Sequence, residues 1–377
     1  RSAQGVIDHG LHKHHRGSTM NRNTGMSAGQ IIGTMNGQLV VGLDIAKQVF
    51  QLHTVDMDTG EIVNVQIKRA KVMEHFTNRQ PCLIAIEACG GAHHWARELT
   101  GLGHSVRLLH AKAVRPFVSG NKTDATDARA IWLAVQQPGV KLVGIKTAAQ
   151  QATLALHRQR ELMMKMRIMQ TNALRGLLYE FGATFARGNR TLFSEVEQAL
   201  VDLSDDLPQM VADSLREQVA RIKALSRDMQ AIEKRLALQL KADPKMQRIA
   251  QIPGVGLLTA TAAIATMGEA SAFKSGREFC AWLGMVPSQT GSGGKVRLGS
   301  ITKRGDTYLR TLLIHGARSV LAHTKEPGPW LEGLKSRRPA NVVVVAQAAK
   351  TARTIWAVTA RQQDYQRGFQ SVRPHAA

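Results

Sequence analysis

Leu39–Ala46 reads LVVGLDIA, and the rest of the chain is interpreted outward from it. Val40, Val41, Leu43 and Ile45 surround Asp44 with apolar residues, as in a strand covered on both faces. A lone carboxylate presented from such a strand is costly to bury, and metal coordination is one standard remedy. A second run, Cys82–Cys89 (CLIAIEAC), carries Glu87 near its end. Asp124 and Asp127 fall in NKTDATDARAIWLA, which opens a helix. Residues three apart on a helix share a face, with Cβ atoms roughly 5–6 Å apart. Phosphodiester chemistry uses such oxygen ligands to hold one or two Mg²⁺ ions, about 3.5–4 Å apart when paired. Capping is the ordinary alternative for Asp124, since aspartate is favoured at helix N-caps and first turns.

Charge points to the same kind of partner. The 377 residues hold 50 Lys and Arg against 28 acids, a formal charge of +22, with a pI near 10.5. That balance favours polyanions, and nucleic acid is the expected partner. At 5% aromatic residues, base stacking is a poor candidate for the main binding mode, and phosphate contact by Lys and Arg is the better one. Three cysteines, Cys82, Cys89 and Cys280, without a CxxC pair suit a reducing cytoplasm. Cys82 and Cys89 are expected to pack within their apolar strand. No run approaches a membrane span. Residues 1–37 are polar and histidine-rich and read as a flexible basic extension.

From Gln38 to Lys146 the pattern is α/β. Leu39–Ala46, Val49–Val55 and Glu61–Ile67 read as three strands, with a turn at Met57–Gly60. A helix over Lys71–Asn78, the Cys82–Cys89 strand, a helix over His93–Leu102 and a strand over His104–Leu109 precede the aspartate-bearing helix. A meander followed by strands alternating with helices matches an RNase H-like mixed sheet, whose first strand is central and whose neighbour carries the second acid. Residues 147–242 read as helical. Leu215, Ile222, Met229 and Leu236 repeat every seven residues, predicting a long helical hairpin or a coiled coil between subunits. From residue 243 to 362 the chain is mainly helical. Ile252–Ala260 (IPGVGLLTA) resembles a helix-hairpin-helix turn, in which Gly254 and Gly256 would let backbone amides reach a DNA phosphate. A Gly-rich basic loop follows over Pro287–Arg304, and residues 363–377 form a polar tail.

Taken together, GLDIAK, IEAC, NKTDATDAR, IPGVG and GSGGKVRLGSITKRGDTYLRTLLIHGAR resemble the DEDD-type transposases of bacterial insertion sequences, also called bridge-RNA-guided recombinases. The resemblance covers roughly residues 38–362. It implies a RuvC-like domain whose four acids map onto Asp44, Glu87, Asp124 and Asp127, with Mg²⁺ as cofactor. It also implies a coiled-coil linker and a C-terminal transposase domain with a nucleophilic serine. Where the family often has two hydroxyl residues before Gly-Gly-Lys, this chain has Gly291 and Ser292, which makes Ser292 the candidate; Ser288 and Thr290 are the fallback positions. As the two sets of residues belong to different domains, a composite site, formed within or between subunits, is one way to unite them. Lys122, Arg129, Lys295, Arg297, Lys303, Arg304 and Arg310 are candidate nucleic-acid contacts, with a solvated basic face the alternative for any one of them. The implied partners are donor and target DNA, a structured noncoding guide RNA, and further copies of the chain in a dimer assembling to a tetramer. A Holliday-junction resolvase using water, an actin-like ATPase and a non-enzymatic nucleic-acid organiser are the rival readings.

Overall fold

The computed structural model describes residues 34–35, 38–56, 58–121, 123–186 and 188–369. The histidine-rich start of the chain, Lys122 and the end of the tail lie outside the described residues. Two compact units meet in sequence between Val143 and Gly144. Among the described residues, no helix is long and apolar enough to cross a membrane.

The first unit is a mixed sheet of β1 (Thr34–Met35), β2 (Gln38–Ile45), β3 (Val49–Val55), β4 (Ile62–Lys68), β5 (Leu83–Glu87), β6 (Ser105–Leu109) and β7 (Leu142–Val143). Its order is β4-β3-β2-β5-β6-β7, with β1 pairing β2. The expected meander is present. β3 runs antiparallel to both β2 and β4, and Asp56 accepts from the Asp58 and Thr59 amides, each at 2.9 Å, to close the β3–β4 turn. β2, β5 and β6 are parallel, joined through α1 (Val72–Thr77) and α2 (Ala92–Gly101). α3 (Ala111–Val114) and α4 (Asp124–Val135) follow.

Strand alternation sorts the sheet into two cores. Val41, Leu43, Ile84 and Ile86 pack with Phe76 of α1 and Trp95 and Leu99 of α2. Val40, Leu83 and Ala85 face the other way, onto Ile131, Trp132 and Val135 of α4. This is why β2 and β5 read as continuous apolar runs.

The second unit is helical apart from one hairpin. α5 (Ala148–Glu180), α6 (Asn189–Asp202) and α7 (Gln209–Ala242) come first. α5 and α7 are antiparallel partners within the chain: Arg160 pairs with Glu233 at 2.7 Å and Thr153 donates to Gln239 at 2.9 Å. Leu215, Ile222, Met229 and Leu236 are all buried, and the first two share a cluster with Leu174, Leu178 and Val196. The seven-residue seam therefore serves a helical hairpin. A second core gathers α8 (Pro244–Ala250), α9 (Leu257–Met267), α10 (Gly276–Trp282), α11 (Thr307–His323) and α13 (Ala340–Arg361). α12 (Gly328–Lys335) packs on α13. The hairpin consists of β8 (Pro287–Ser292) and β9 (Lys295–Ile301).

His157 of α5 ties the two helical groups together. The Thr261 hydroxyl donates to the Leu257 carbonyl at 2.8 Å, so its oxygen accepts from His157 Nε2–H at 3.0 Å, leaving Nδ1 to accept from the Tyr308 hydroxyl at 2.9 Å. Burial, aided by Arg160, lowers this imidazole from 6.5 to about 4. Folding thus favours the neutral ring. Its contribution is complete above pH 6.5 and fades as pH falls toward 4, because the unfolded chain then binds the extra proton. At roughly 1.4 kcal/mol per unit, that amounts to about 3 kcal/mol. The melting-temperature gap between wild type and His157→Gln is expected to shrink as pH falls through this window. A gap independent of pH would contradict the assignment.

Candidate active site

Three elements bring the four acids to one end of the first unit. In the parallel β2–β5 pair, Leu43 stands opposite Ile86, so the next step places Asp44 beside Glu87. Both acids have the parity of Val40, Gly42, Leu83 and Ala85, which puts them on the α4 face. α4 runs along β2 in the opposite sense. Trp132 donates its indole N–H to the Val40 carbonyl at 3.1 Å, and Ala128 lies on Gly42. Moving from Val40 to Asp44 therefore means moving along α4 toward its first turn, where Asp124 and Asp127 sit. Asp44, Glu87 and Asp127 are half-buried and Asp124 is exposed.

Gly42 makes this approach possible. A Cβ there would stand 2.7 Å from Trp132 Cβ and 2.8 Å from the Trp132 nitrogen, closer than real contacts allow. Asp124 is not the N-cap of α4, a place taken by Thr123, but it lies in the first turn. The Thr123 hydroxyl accepts from the Thr126 amide at 3.2 Å, and Thr126 returns the bond to the Thr123 amide at 2.9 Å. The aspartates occupy the first turn without serving the cap, where the helix dipole favours negative charge.

Cys89 is a correction to the sequence reading. It is exposed, beyond the end of β5, rather than packed like Cys82. Desolvation raises its thiol, and the carboxylates of Asp44 and Glu87 push it in the same direction, so it borders the acidic end. Gly90 and Gly91, which follow it, were the signal that the strand had ended. Sequence reading also passed over Gln51 and His53. Gln51 is buried opposite Asp44 on β3, and His53 opposite Gly42 bonds Asn64 at 3.0 Å. Burial lowers the His53 pKa, its bond to Asn64 opposes this, and nearby Arg129 of α4 lowers it further. Arg129 is exposed and available to a polyanion at this end.

DEDD-type transposase domains generally use divalent metal ions, and four carboxylate groups converging on one end of a sheet are the hard oxygen donors such ions prefer. Among the described residues no three His, Cys, Asp or Glu side chains already form a metal cage.

In the second unit, the expected loop over Pro287–Arg304 is instead an ordered hairpin. Gly293 and Gly294 have φ of +57° and +76°, the backbone of a type I′ turn matched to strand twist. Ser292 pairs with Lys295 across that turn, and both are exposed, as are Arg297, Lys303 and Arg304. Lys303 adopts φ +53°, a strained value for a residue with a side chain. Arg310 is not a nucleic-acid contact. It is 7% exposed, donates to the carbonyls of Leu283 and Arg304 at 2.9 Å each, and reaches Thr307 at 3.1 Å; it anchors the root of the hairpin. Gly254 is also occupied: it packs on Gly316 and Val320 of α11, where a Cβ would meet the Gly316 carbonyl at 2.7 Å. Gly256 is an exposed N-cap of α9. α9 itself is almost wholly buried, so it offers no face to DNA.

An RNase H-like unit carrying Asp, Glu, Asp and Asp at one end of its sheet, continuous with a basic helical unit, has the make-up of a DEDD-type transposase. Residues 41–182 match the model of the DEDD transposase domain of IS110 type, described as a transposase, and residues 246–329 match the model described as the transposase IS116/IS110/IS902 family. Among relatives, a "Probable family 20 transposase" of Pseudomonas aeruginosa is 44% identical over 87% of this chain and 98% of its own length. The transposases for insertion sequence elements IS1111A of Coxiella burnetii and IS1328 of Yersinia enterocolitica are 38% and 34% identical, over 87% and 85% of this chain and 92% and 96% of their own lengths. The chain belongs to the IS110 family of insertion-sequence transposases, and its activity is that of a DNA transposase.

Gly42→Ala is expected to lift α4 off β2, to destabilise the first unit by about 1–3 kcal/mol through overpacking, and to reduce transposition beyond what the stability loss explains. A melting curve and a strand-exchange assay check this. Wild-type values in both would mean that the close approach does not hold the acids together.

Proposed function

We propose that this transposase cuts and rejoins DNA through a transient phosphoserine bond made by Ser292, with Asp44, Glu87, Asp124 and Asp127 holding one or two Mg²⁺ ions. The supporting observation is the position of Ser292: an exposed hydroxyl beside a two-glycine turn, paired with Lys295. Its oxygen attacks the phosphorus in line and forms a new O–P bond. The bond from phosphorus to one sugar oxygen breaks, and the serine proton, taken up by a base, is passed to that oxygen, which leaves as a hydroxyl. Attack by the hydroxyl of another strand reverses these steps and frees the serine, so bond energy is conserved and no ATP is consumed. Divalent metal, when bound, polarises the phosphate and offsets its developing charge. Lys295 and Arg297 hold the phosphate oxygens.

The proposal extends to choice of donor and target by a structured noncoding RNA, and a net charge of +22 suits a chain that binds two kinds of nucleic acid. Assembly of several copies belongs to the same proposal.

The test is a labelled duplex carrying donor and target sequences, incubated with protein and co-purified RNA in Mg²⁺, then digested with protease for mass analysis of DNA-linked peptides. Wild type is expected to yield a peptide linked through Ser292. Ser292→Ala is expected to bind normally yet form no adduct and no recombinant, and Asp44→Asn, Glu87→Gln, Asp124→Asn and Asp127→Asn to fold, bind and fail likewise. Undiminished recombination by Ser292→Ala would end the serine mechanism, and linkage through Ser288 or Thr290 would move it. Cleavage without any adduct would favour a water-using nuclease of the resolvase kind.

A further inference from the structure

The β8–β9 ribbon has two unlike faces. Cross-strand partners in an antiparallel pair point to the same side, and the side alternates along each strand. Ser292 with Lys295 and Thr290 with Arg297 therefore make one face, a row of hydroxyls opposite a row of cations. Gly291 with Val296 and Gln289 with Leu298 make the other. Val296 is 66% exposed and Leu298 65% exposed, and Gly291 has no side chain to cover its partner. Two aliphatic side chains thus stand in solvent on a ribbon whose tip, Gly293–Gly294, is bare.

The surrounding charge limits what can cover them. Between Met285 and Gly305 the chain has Lys295, Arg297, Lys303 and Arg304 and no Asp or Glu, so the complement is a polyanion with an apolar surface beside its phosphates. Duplex DNA offers both. Its major groove is about 12 Å wide, admits a two-stranded ribbon, and displays thymine methyl groups on its floor. The major groove of A-form RNA is too narrow and deep for side chains to read.

We propose that the ribbon wedges into the major groove of DNA beside the cleaved phosphate, with Val296 and Leu298 against base edges and Lys295 and Arg297 toward the phosphate wall. Two binding residues are thereby added to a face that chemistry does not use. The inference rests on the serine mechanism only for the place of cleavage; groove binding itself does not require it.

Full-length protein is titrated with a labelled mixed-sequence DNA duplex, and with the matching RNA duplex, across a series of salt concentrations. Val296→Thr/Leu298→Asn is expected to lose about tenfold in DNA affinity with its salt slope unchanged, and to keep its RNA affinity. Val296→Ile/Leu298→Met retains the apolar face and is expected to bind DNA as wild type does. Lys295→Gln/Arg297→Gln is expected to lower the slope by about 1.8, for two phosphate contacts. A normal melting curve for each variant guards against misfolding. Unchanged DNA affinity in the Thr/Asn variant overturns the proposal, as does an equal loss on RNA. A fall in oligomer mass with DNA affinity retained would assign the face to another copy of the chain, and overturns it too. The two readings fail separately: loss of DNA affinity in the Thr/Asn variant while Ser292→Ala still recombines would leave the groove contact standing without the serine mechanism.

Discussion

The first unit depends on how closely α4 can lie on β2. At Gly42 the helix backbone comes so near the strand that only hydrogen fits between them. The Val40 carbonyl is held from two sides, by the Trp132 indole at 3.1 Å and the Thr54 hydroxyl at 2.9 Å. These contacts fix the helix along its length as well as its height. Because Asp44 lies two residues beyond Gly42, and Asp127 one residue before Ala128, the same contact bears on how the acid-bearing first turn of α4 sits along β2. The packing at Gly42 therefore decides which end of the sheet the acid-bearing first turn of α4 approaches.

The second unit solves a different problem, holding a thin, solvent-exposed ribbon in a defined direction. The solution lies at the root. Gly284 and Gly305 take positive φ where neighbouring backbone leaves no room for a Cβ, Lys303 accepts strain, and the buried guanidinium of Arg310 gathers two carbonyls from either side of the hairpin. A buried cation satisfied by carbonyls in this way leaves few alternatives for the local backbone.

The strands and helices of the first unit were legible because their apolar patterns are strong and their turns carry the expected residues. Asp44 and Glu87 stood out in the sequence because acids inside apolar runs are chemically odd, and Asp124 and Asp127 because a spacing of three puts them on one face of a helix. Other features depended on contacts that a linear reading does not contain. Arg310 looked like one more member of a basic cluster, and only its burial distinguishes it. Gly254 looked like a phosphate-facing turn and proved to be a packing contact with α11. Thr123, not its acidic neighbour, caps α4, because the Thr126 hydroxyl completes the reciprocal pair. The β8–β9 hairpin was within reach: Gly-Gly between short alternating segments is a turn signal, outweighed by the general impression of a glycine-rich loop. Cys89 was misplaced because apolar composition outlasts the strand by two residues.

Rooted at one end and bare at the other, the ribbon behaves mechanically as a cantilever. From Pro287 to Ser292 it spans six residues, about 20 Å at the rise of an extended strand. A tilt of about 10° at the Arg310 clamp would swing Ser292 through about 3 Å over that length, roughly the reach of one hydrogen bond. Small rearrangements among α10, α11 and the glycines between them are thus geared up at the tip, and the position of the Ser292 hydroxyl can be governed from the hairpin's base without altering any exposed residue of the ribbon.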